Sequence, residues 1–95
     1  MTAVTQVLWS KQVDKQLVKL PNHIIKKFYT WVSSVHLSGI VATRKCSGYH
    51  DEPLKGDRNG QRSVRLNNAY RAIYIERNNG FIQLLEVIEV NKHEY

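Results

Sequence analysis

Two groups of residues could do chemistry: a pair of arginines on either side of a polar turn, and the last four residues. Arg65 and Arg71 form the pair, and the run KHEY at 92–95 brings together a cation, an imidazole, a carboxylate and a phenol. Cleavage of RNA by its own 2′-hydroxyl needs a base for that hydroxyl, an acid for the leaving 5′ oxygen, and cations for the charge that grows on the phosphate. The two groups contain a candidate for each role. A charged end of this kind is also typical of a solvated tail, which is the alternative interpretation of residues 92–95.

The arginine pair depends on how the two strands that carry it are joined. If residues 67–69 form a three-residue loop, Arg65 and Arg71 lie directly opposite one another. Like charges in that position are destabilising unless an anion lies between them. A second register follows from the apolar residues, because grouping Val64 with Ile73 places Arg71 nominally on the core side. Arginines that are solvated or paired with a glutamate of the last predicted strand fit the pattern equally well.

Length, charge and cysteine content limit the classes of protein that the sequence can encode. Among 95 residues, fourteen Lys and Arg against eight Asp and Glu give a formal net charge of +6, which indicates a polyanionic or acidic partner. We expect a single domain over residues 1–95. Cys46 is the only cysteine, which is typical of a reducing compartment. Neither a membrane-spanning run nor a signal-peptide pattern occurs, so we expect a cytoplasmic protein without a membrane partner.

The histidines and the cysteine do not have the spacing of metal ligands. His23, His36 and His50 lie far apart, and neither HExxH nor CxxC occurs. The Walker A, GxGxxG and GxSxG patterns are absent as well. We therefore expect no metal and no cofactor, and neither nucleotide hydrolysis nor serine esterase chemistry.

The first third of the sequence predicts a strand followed by two helices. Val4–Trp9 is β-branched and apolar, which is typical of a strand. Ser10 is a candidate cap for a short amphipathic helix over Lys11–Leu20, which Pro21 interrupts.

The second helix is longer and carries a broad apolar stripe. Asn22 is its candidate cap, and we expect Gly39 to end it. Trp31 lies within the stripe, so we assign it to the core together with Trp9.

The remainder predicts a long loop followed by three strands. Regular periodicity is lost from Ser38 to Gly60, and a loop of this length that carries basic side chains is expected to be functional. The basic or potentially basic side chains are Arg44, Lys45, His50, Lys55 and Arg58. The predicted strands are Gln61–Leu66, Tyr70–Arg77 and Phe81–Val90, joined by Asn-rich turns. The elements together predict an α+β fold, β-α-α-β-β-β, with two N-terminal helices on one face of a mostly antiparallel sheet.

Four sequence motifs resemble those of one family. EPLKGDR at 52–58, GQRSVRL at 60–66 and YRAIY at 70–74, followed by KHEY at 92–95, resemble the RelE/ParE toxin superfamily, and especially its RelE, HigB and YoeB-like members. The order of the predicted elements is similar too, so the resemblance extends over nearly the whole chain. It implies the RelE-like microbial RNase fold and a metal-free endoribonuclease of type II toxin–antitoxin systems. Such an enzyme cuts mRNA by 2′-hydroxyl transesterification, in the ribosomal A site.

The resemblance also implies roles for individual residues. Arg71 matches an arginine that stabilises the phosphate, and Arg65 matches a basic residue on the preceding strand. Lys55 matches a loop lysine near the scissile phosphate. Glu52 matches a glutamate that is a candidate general base.

The end of the chain departs from the YoeB-like pattern. Those relatives place histidine directly before a terminal tyrosine, whereas here Glu94 precedes Tyr95 and His93 lies one position earlier. The resemblance implies leaving-group or phosphate chemistry for His93 and an RNA contact for Tyr95. The acid and base roles stay open among Glu52, Glu94 and His93.

Further basic residues and the partners complete the expectation. The residues expected to bind the RNA backbone are Arg44, Lys45, Arg58, Arg62 and Lys92. The implied partners are mRNA, the ribosome and a cognate antitoxin, expected to be acidic, which would form a hetero-oligomer with this chain. The alternative function is that of a ParE-like protein that inhibits DNA gyrase, because one fold can carry different functions.

Overall fold

A computed structural model describes residues 4–79 and 82–92 and shows two helices against one face of a five-stranded sheet. The strands are β1 (Val4–Trp9), β2 (Glu52–Pro53), β3 (Gln61–Arg65), β4 (Tyr70–Asn79) and β5 (Ile82–Lys92). The helices are α1 (Lys11–Leu17) and α2 (Asn22–Arg44), and single turns of 3₁₀ helix cover Ser47–Tyr49 and Gly56–Arg58. The order across the sheet is β1-β5-β4-β3-β2, with β1 parallel to β5 and the other pairs antiparallel. The α+β class and the mostly antiparallel sheet are confirmed.

Helix α1 begins where the sequence predicts and ends earlier. The Ser10 hydroxyl accepts a hydrogen bond from the backbone N–H of Val13 at 3.4 Å, so the predicted cap is confirmed. The helix ends at Leu17 rather than Leu20, because the next residues form tight turns ahead of Pro21.

The start of helix α2 differs from the prediction. Asn22 is the first helical residue and not the cap, since Pro21 occupies the cap position without a side-chain bond. The carbonyl of Pro21 accepts from the N–H groups of Ile24 and Ile25 at 2.9 and 3.1 Å, which satisfies backbone groups of the first turn.

Gly39 kinks helix α2 and does not end it, contrary to the prediction. Its φ of 83° and ψ of 166° lie in a region open to glycine alone, and helical geometry resumes after it as far as Arg44. The added turn buries Ile40 and Thr43, and the Thr43 hydroxyl donates to the Gly39 carbonyl at 2.8 Å. None of the helices within the described ranges is long and apolar enough to cross a membrane.

The core lies between the helices and one face of the sheet. Phe28 and Trp31 of α2 are fully buried, and Trp31 packs against Tyr74 of β4 with ring centroids 5.4 Å apart. The core assignment of Trp31 is confirmed. Trp9 is only partly buried at the edge of this core, where its indole N–H donates to Asp14 at 2.7 Å.

A side-chain hydrogen bond fixes the register of β3 and β4. The side-chain oxygen of Asn67 accepts from the backbone N–H groups of Ala69 and Tyr70 at 2.7 and 2.8 Å, which holds residues 67–69 as a three-residue loop. Arg65 therefore lies opposite Arg71, as the first interpretation of the sequence predicts. The alternative register is wrong, because Val64 pairs with Ala72 and not with Ile73.

A bulge in β5 explains why its apolar alternation is weak. The pairing with β4 shifts by one residue after Ile73, so that Val87 and Val90 both reach the core although they are three positions apart. The side chain of Gln16 on α1 accepts a hydrogen bond from the N–H of Val90 at 2.9 Å. Helix α1 therefore holds the irregular part of β5 in place, and Glu89 lies on the face that the helices leave open.

Replacement of Gly39 by alanine is the direct test of the kink. A Cβ at this position would meet nothing within 4 Å, so the cost arises from the positive φ alone. We expect Gly39→Ala to lower the free energy of unfolding by about 1–3 kcal/mol in urea denaturation. Gly48→Ala is the matched control, because its site is equally open and has no positive φ. Equal stability of the two variants would contradict the strain at Gly39.

Candidate active site

The arginine pair lies on the face of the sheet that the helices leave uncovered. Arg65 and Arg71 are direct partners across β3 and β4, while Val64 and Ala72 beside them point to the core. Two guanidinium groups in this position repel one another, which weakens the strand pair. An anion that binds both groups would remove this repulsion.

Arg71 forms part of the walls of two adjacent clefts. We call the first the strand cleft; it has a volume of about 420 Å³ and is lined by Arg58, Arg71, Glu89, Asn91 and Lys92. The second, the loop cleft, is a small depression with a volume of about 20 Å³ and is lined by His50, Glu52, Ser63, Arg65, Asn67, Tyr70 and Arg71. The Nε atom of Arg71 is buried and has no hydrogen-bond partner among residues 4–79 and 82–92. A buried donor without a partner costs free energy, which an acceptor in either cleft would offset.

The short strand β2 delivers Glu52 to the loop cleft. Glu52 pairs with Ser63 of β3, and its carboxylate lies 3.4 Å from Nε2 of His50. Both side chains are about half exposed, so they face solvent at the mouth of the cleft. The sequence motif found Glu52 but not His50. The signal that could have identified His50 is its position, two residues before the matched glutamate in a loop already expected to be functional.

An ion pair across the sheet shapes the strand cleft. The Arg58 guanidinium donates to Glu89 of β5 at 3.1 Å and to the side-chain oxygen of Gln61 at 3.0 Å. Ile73 pairs with Glu89 in the strand register and is fully buried, although it lies on the face that the helices leave open.

Two of the predicted RNA-binding residues, Arg58 and Lys92, lie in the strand cleft together with Arg71.

A buried carboxylate holds two other predicted RNA-binding residues elsewhere. The side chain of Asp51 is 1% exposed and accepts from Nε of Arg62 at 2.6 Å and from the hydroxyl of Tyr74 at 2.6 Å. Arg44 donates to the same hydroxyl at 3.1 Å and forms an ion pair with Glu76. Arg44 and Arg62 are thus bound to internal partners and line neither the strand cleft nor the loop cleft.

The network changes the protonation equilibria of its members. Burial and the hydrogen bond to Asp51 raise the pKa of Tyr74 far above its ordinary value, so the phenol keeps its proton. For Arg62, burial alone would lower the pKa, but the hydrogen bond and the charge of Asp51 outweigh burial and raise it. The network therefore contains the carboxylates of Asp51 and Glu76, a neutral phenol and two guanidinium groups.

The remaining predicted site residues are not brought to the two clefts, or lie outside the part that the structure describes. Lys45 and Lys55 are exposed and line neither cleft. His93, Glu94 and Tyr95 lie outside the described residues. Within the described ranges, no group of three or more histidine, cysteine or acidic side chains is placed to hold a metal ion.

The fold matches several solved structures, two of which are described as those of toxins. The YoeB/ParE toxin from Agrobacterium tumefaciens has a TM-score of 0.72 and 23% identity, over 94% of this chain and 99% of that one. A chain of the E. coli DinJ-YafQ toxin-antitoxin complex gives a TM-score of 0.70 and 20% identity, over 95% of this chain and 93% of that one. The archaeal RelE-RelB complex from Pyrococcus horikoshii gives 0.68 and 22%, over 94% of each chain. No protein-family model and no curated protein sequence matches the chain.

These similarities define the class of the fold. The chain shares the fold of these solved structures, so the RelE-like fold that the sequence motifs imply is confirmed. The solved structures that share it include proteins named YoeB, YafQ and RelE.

Removal of the buried charge tests the network around Asp51. In Asp51→Asn, the guanidinium of Arg62 loses an anionic partner while it remains largely shielded from water. We expect a loss of about 2–3 kcal/mol in the free energy of unfolding, below the full cost of breaking a buried ion pair because Arg62 is partly exposed. Tryptophan fluorescence in urea measures it, since Trp31 packs against Tyr74. The exposed Asp57→Asn is the control and should change stability by less than about 0.5 kcal/mol.

The raised pKa of Tyr74 predicts a loss of stability in alkali. The unfolded phenol loses its proton above its ordinary pKa of 10.0, whereas the folded one retains it, so rising pH favours unfolding. The stabilisation is fully present below pH 10 and declines above it. In Tyr74→Phe, the free energy of unfolding should fall less steeply above pH 10 than in the wild type. Tyr29→Phe, which alters an exposed tyrosine, should leave the wild-type slope unchanged.

Proposed function

We propose that this chain is the toxin of a type II toxin–antitoxin pair and an endoribonuclease that cleaves mRNA in the ribosomal A site without a metal. Such cleavage would inhibit translation and growth in the cytoplasm. The observation that carries the proposal is the position of Arg71, opposite Arg65 and in the wall of both clefts, with a buried Nε that lacks a partner among the described residues. The sequence motifs that resemble RelE, HigB and YoeB-like ribonucleases support the same activity.

The arginine pair fits the charge that develops in this reaction. Attack by the 2′-hydroxyl produces a phosphorane with more negative charge than the phosphodiester, so cations that are already in place stabilise the transition state more than the substrate. Arg65 and Arg71 are held on adjacent strands and need little reorganisation to bind it. Their mutual repulsion in the free protein is relieved when the phosphate binds.

The strand cleft suits a neighbouring part of the RNA backbone. Lys92 supplies positive charge beside Arg71, while Arg58 is paired with Glu89 in the same cleft. Asn91 adds an amide that can donate to a phosphate or a ribose hydroxyl. Glu52 in the loop cleft is the proposed partner in proton transfer. For Lys55, His93 and Tyr95, the support is the sequence resemblance alone.

An acidic antitoxin is the proposed protein partner. Two of the structures that share the fold are complexes of RelE with RelB and of YafQ with DinJ. The net charge of +6 supports an acidic partner, and the open face that carries the arginines is the surface where its charge would be complementary. The result would be a hetero-oligomer in which the RNA site is covered.

Substitution of Arg71 tests the activity. Purified protein is added to a translation reaction and, separately, to the same deproteinised mRNA with and without EDTA, and breaks are mapped by primer extension. We expect breaks in translated mRNA, and a loss of at least about 100-fold in Arg71→Ala because a pre-positioned cation is removed. Arg77→Ala is the matched control: Arg77 lies on the same strand, pairs with Glu86 and lines neither cleft, so activity should persist.

The pattern of breaks separates the alternatives. Breaks in deproteinised mRNA would contradict dependence on the ribosome but not the ribonuclease, and breaks lost on adding EDTA would contradict the metal-free reaction. No breaks in either reaction, together with inhibition of DNA gyrase, would establish the ParE-like alternative.

A further inference from the structure

His50 has an unusual backbone conformation at the edge of the proposed site. Its φ of 43° and ψ of 49° place it in the left-handed region, and it is the single non-glycine residue with positive φ in the described ranges. A side chain with a Cβ adopts this conformation at a cost in free energy, although histidine is among the residues that tolerate it. Strained residues of this kind concentrate at functional sites, where the surrounding structure holds them.

The loop that contains His50 is held on both sides. Before it, Tyr49 is buried, and Lys27 lies over its ring at 5.1 Å. After it, Asp51 is bound in the buried network and Glu52 pairs with β3. His50 itself remains more than half exposed, with 55% of its side chain accessible. The anchors at positions 49, 51 and 52 therefore present one exposed imidazole at a defined place.

The surroundings of that imidazole suit proton transfer at a phosphodiester. Nε2 of His50 lies 3.4 Å from the Glu52 carboxylate, and the loop cleft that they share is lined also by Arg65 and Arg71. The charged or titratable groups that face His50 in this cleft are thus Glu52 from β2, Arg65 from β3, and Tyr70 and Arg71 from β4. A carboxylate beside an imidazole orients the ring and stabilises the imidazolium that forms when it accepts a proton.

We propose that His50 is the general base that removes the proton from the attacking 2′-hydroxyl, with Glu52 as its positioning partner. The inference rests on the proposed function and names a residue that the sequence motifs do not assign. The O–H bond of the 2′-hydroxyl breaks and its proton moves to the neutral imidazole. The oxygen forms a bond to phosphorus, and the bond from phosphorus to the 5′ oxygen breaks. The leaving oxygen takes a proton from water, and the imidazolium returns its own proton to the hydroxide that remains. The products are a 2′,3′-cyclic phosphate and a 5′-hydroxyl.

An imidazole is better suited to this role than the carboxylate beside it. A general base is most effective when side chains of its type ordinarily titrate near the working pH, and among the side-chain types imidazole meets this condition. Glu52 is about half exposed and lies beside His50, so its part in the reaction is to orient the imidazole ring.

The test uses variants that preserve the backbone conformation. Asparagine and glycine both tolerate a left-handed residue, so His50→Asn and His50→Gly keep the loop while they remove the base. We expect His50→Asn to lower cleavage by at least about 100-fold, and added imidazole to restore part of the activity of His50→Gly. His36→Ala, which removes an exposed histidine from α2, should leave cleavage unchanged and unaffected by imidazole.

Two further measurements distinguish a base from a structural residue or an acid. The pH profile of cleavage should differ between the wild type and His50→Asn, because only the wild type has an imidazole that must lack a proton to act as a base. A substrate with sulfur in place of the 5′ oxygen has a leaving group that departs without a proton, so it should not rescue His50→Asn. Full rescue by sulfur would make His50 an acid and overturn the proposal.

The outcomes separate this inference from the proposed function. Wild-type activity that is lost in Arg71→Ala but fully retained in His50→Asn, with an unchanged pH profile, overturns the role of His50 and leaves the ribonuclease standing. Absence of cleavage by the wild type overturns both. In the folded protein, adenosine 3′-monophosphate should shift the NMR signals of the His50 ring and not those of His36, and the reverse result would argue against His50.

Discussion

The pairing of β3 with β4 is the constraint on which the rest of the structure depends. The Asn67 side chain closes the three-residue loop, and because side chains alternate along a strand, this single turn decides what each residue faces. It directs Val64 and Ala72 into the core and leaves Arg65 and Arg71 side by side on the open face. A slip of one residue would exchange the two sets, so the core and the cationic site are established by the same hydrogen bonds.

Asp51 divides the basic residues into two groups. Arg62 is bound to Asp51, and Arg44 to Tyr74 and Glu76, whereas Arg65 and Arg71 remain oriented toward the clefts. The net charge counts all four arginines alike. An arginine that is paired with a carboxylate inside the protein is less able to bind an anion from outside. Asp51 also anchors the segment that carries His50 and Glu52, so one buried carboxylate supports both the fold and the site.

Most of the fold could be predicted from the sequence because caps, helical stripes and turns are formed by residues close together in the chain. Ser10 caps α1, Trp31 lies in the helical stripe, and the residues between β3 and β4 form a turn, each through neighbours in the chain. The kink at Gly39 was missed, since glycine usually ends a helix and only tertiary packing of Ile40 makes continuation favourable. The motifs found Arg65, Arg71 and Glu52. They could not separate Arg62 from Arg65, or find His50, because these distinctions depend on contacts with Asp51 and on a backbone conformation set by the folded loop.

The parallel pairing of β1 with β5 has a consequence for the order in which the protein becomes structured. Val4–Trp9 hydrogen-bonds to a strand some eighty residues later in the chain, so during synthesis β1 has no partner until β5 has emerged. Strand β5 also supplies Glu89, Asn91 and Lys92 to the strand cleft. The pairing of β1 and the formation of the cleft are therefore completed in the same late step. A nascent chain in which every earlier element has formed still lacks one wall of the surface that we assign to RNA.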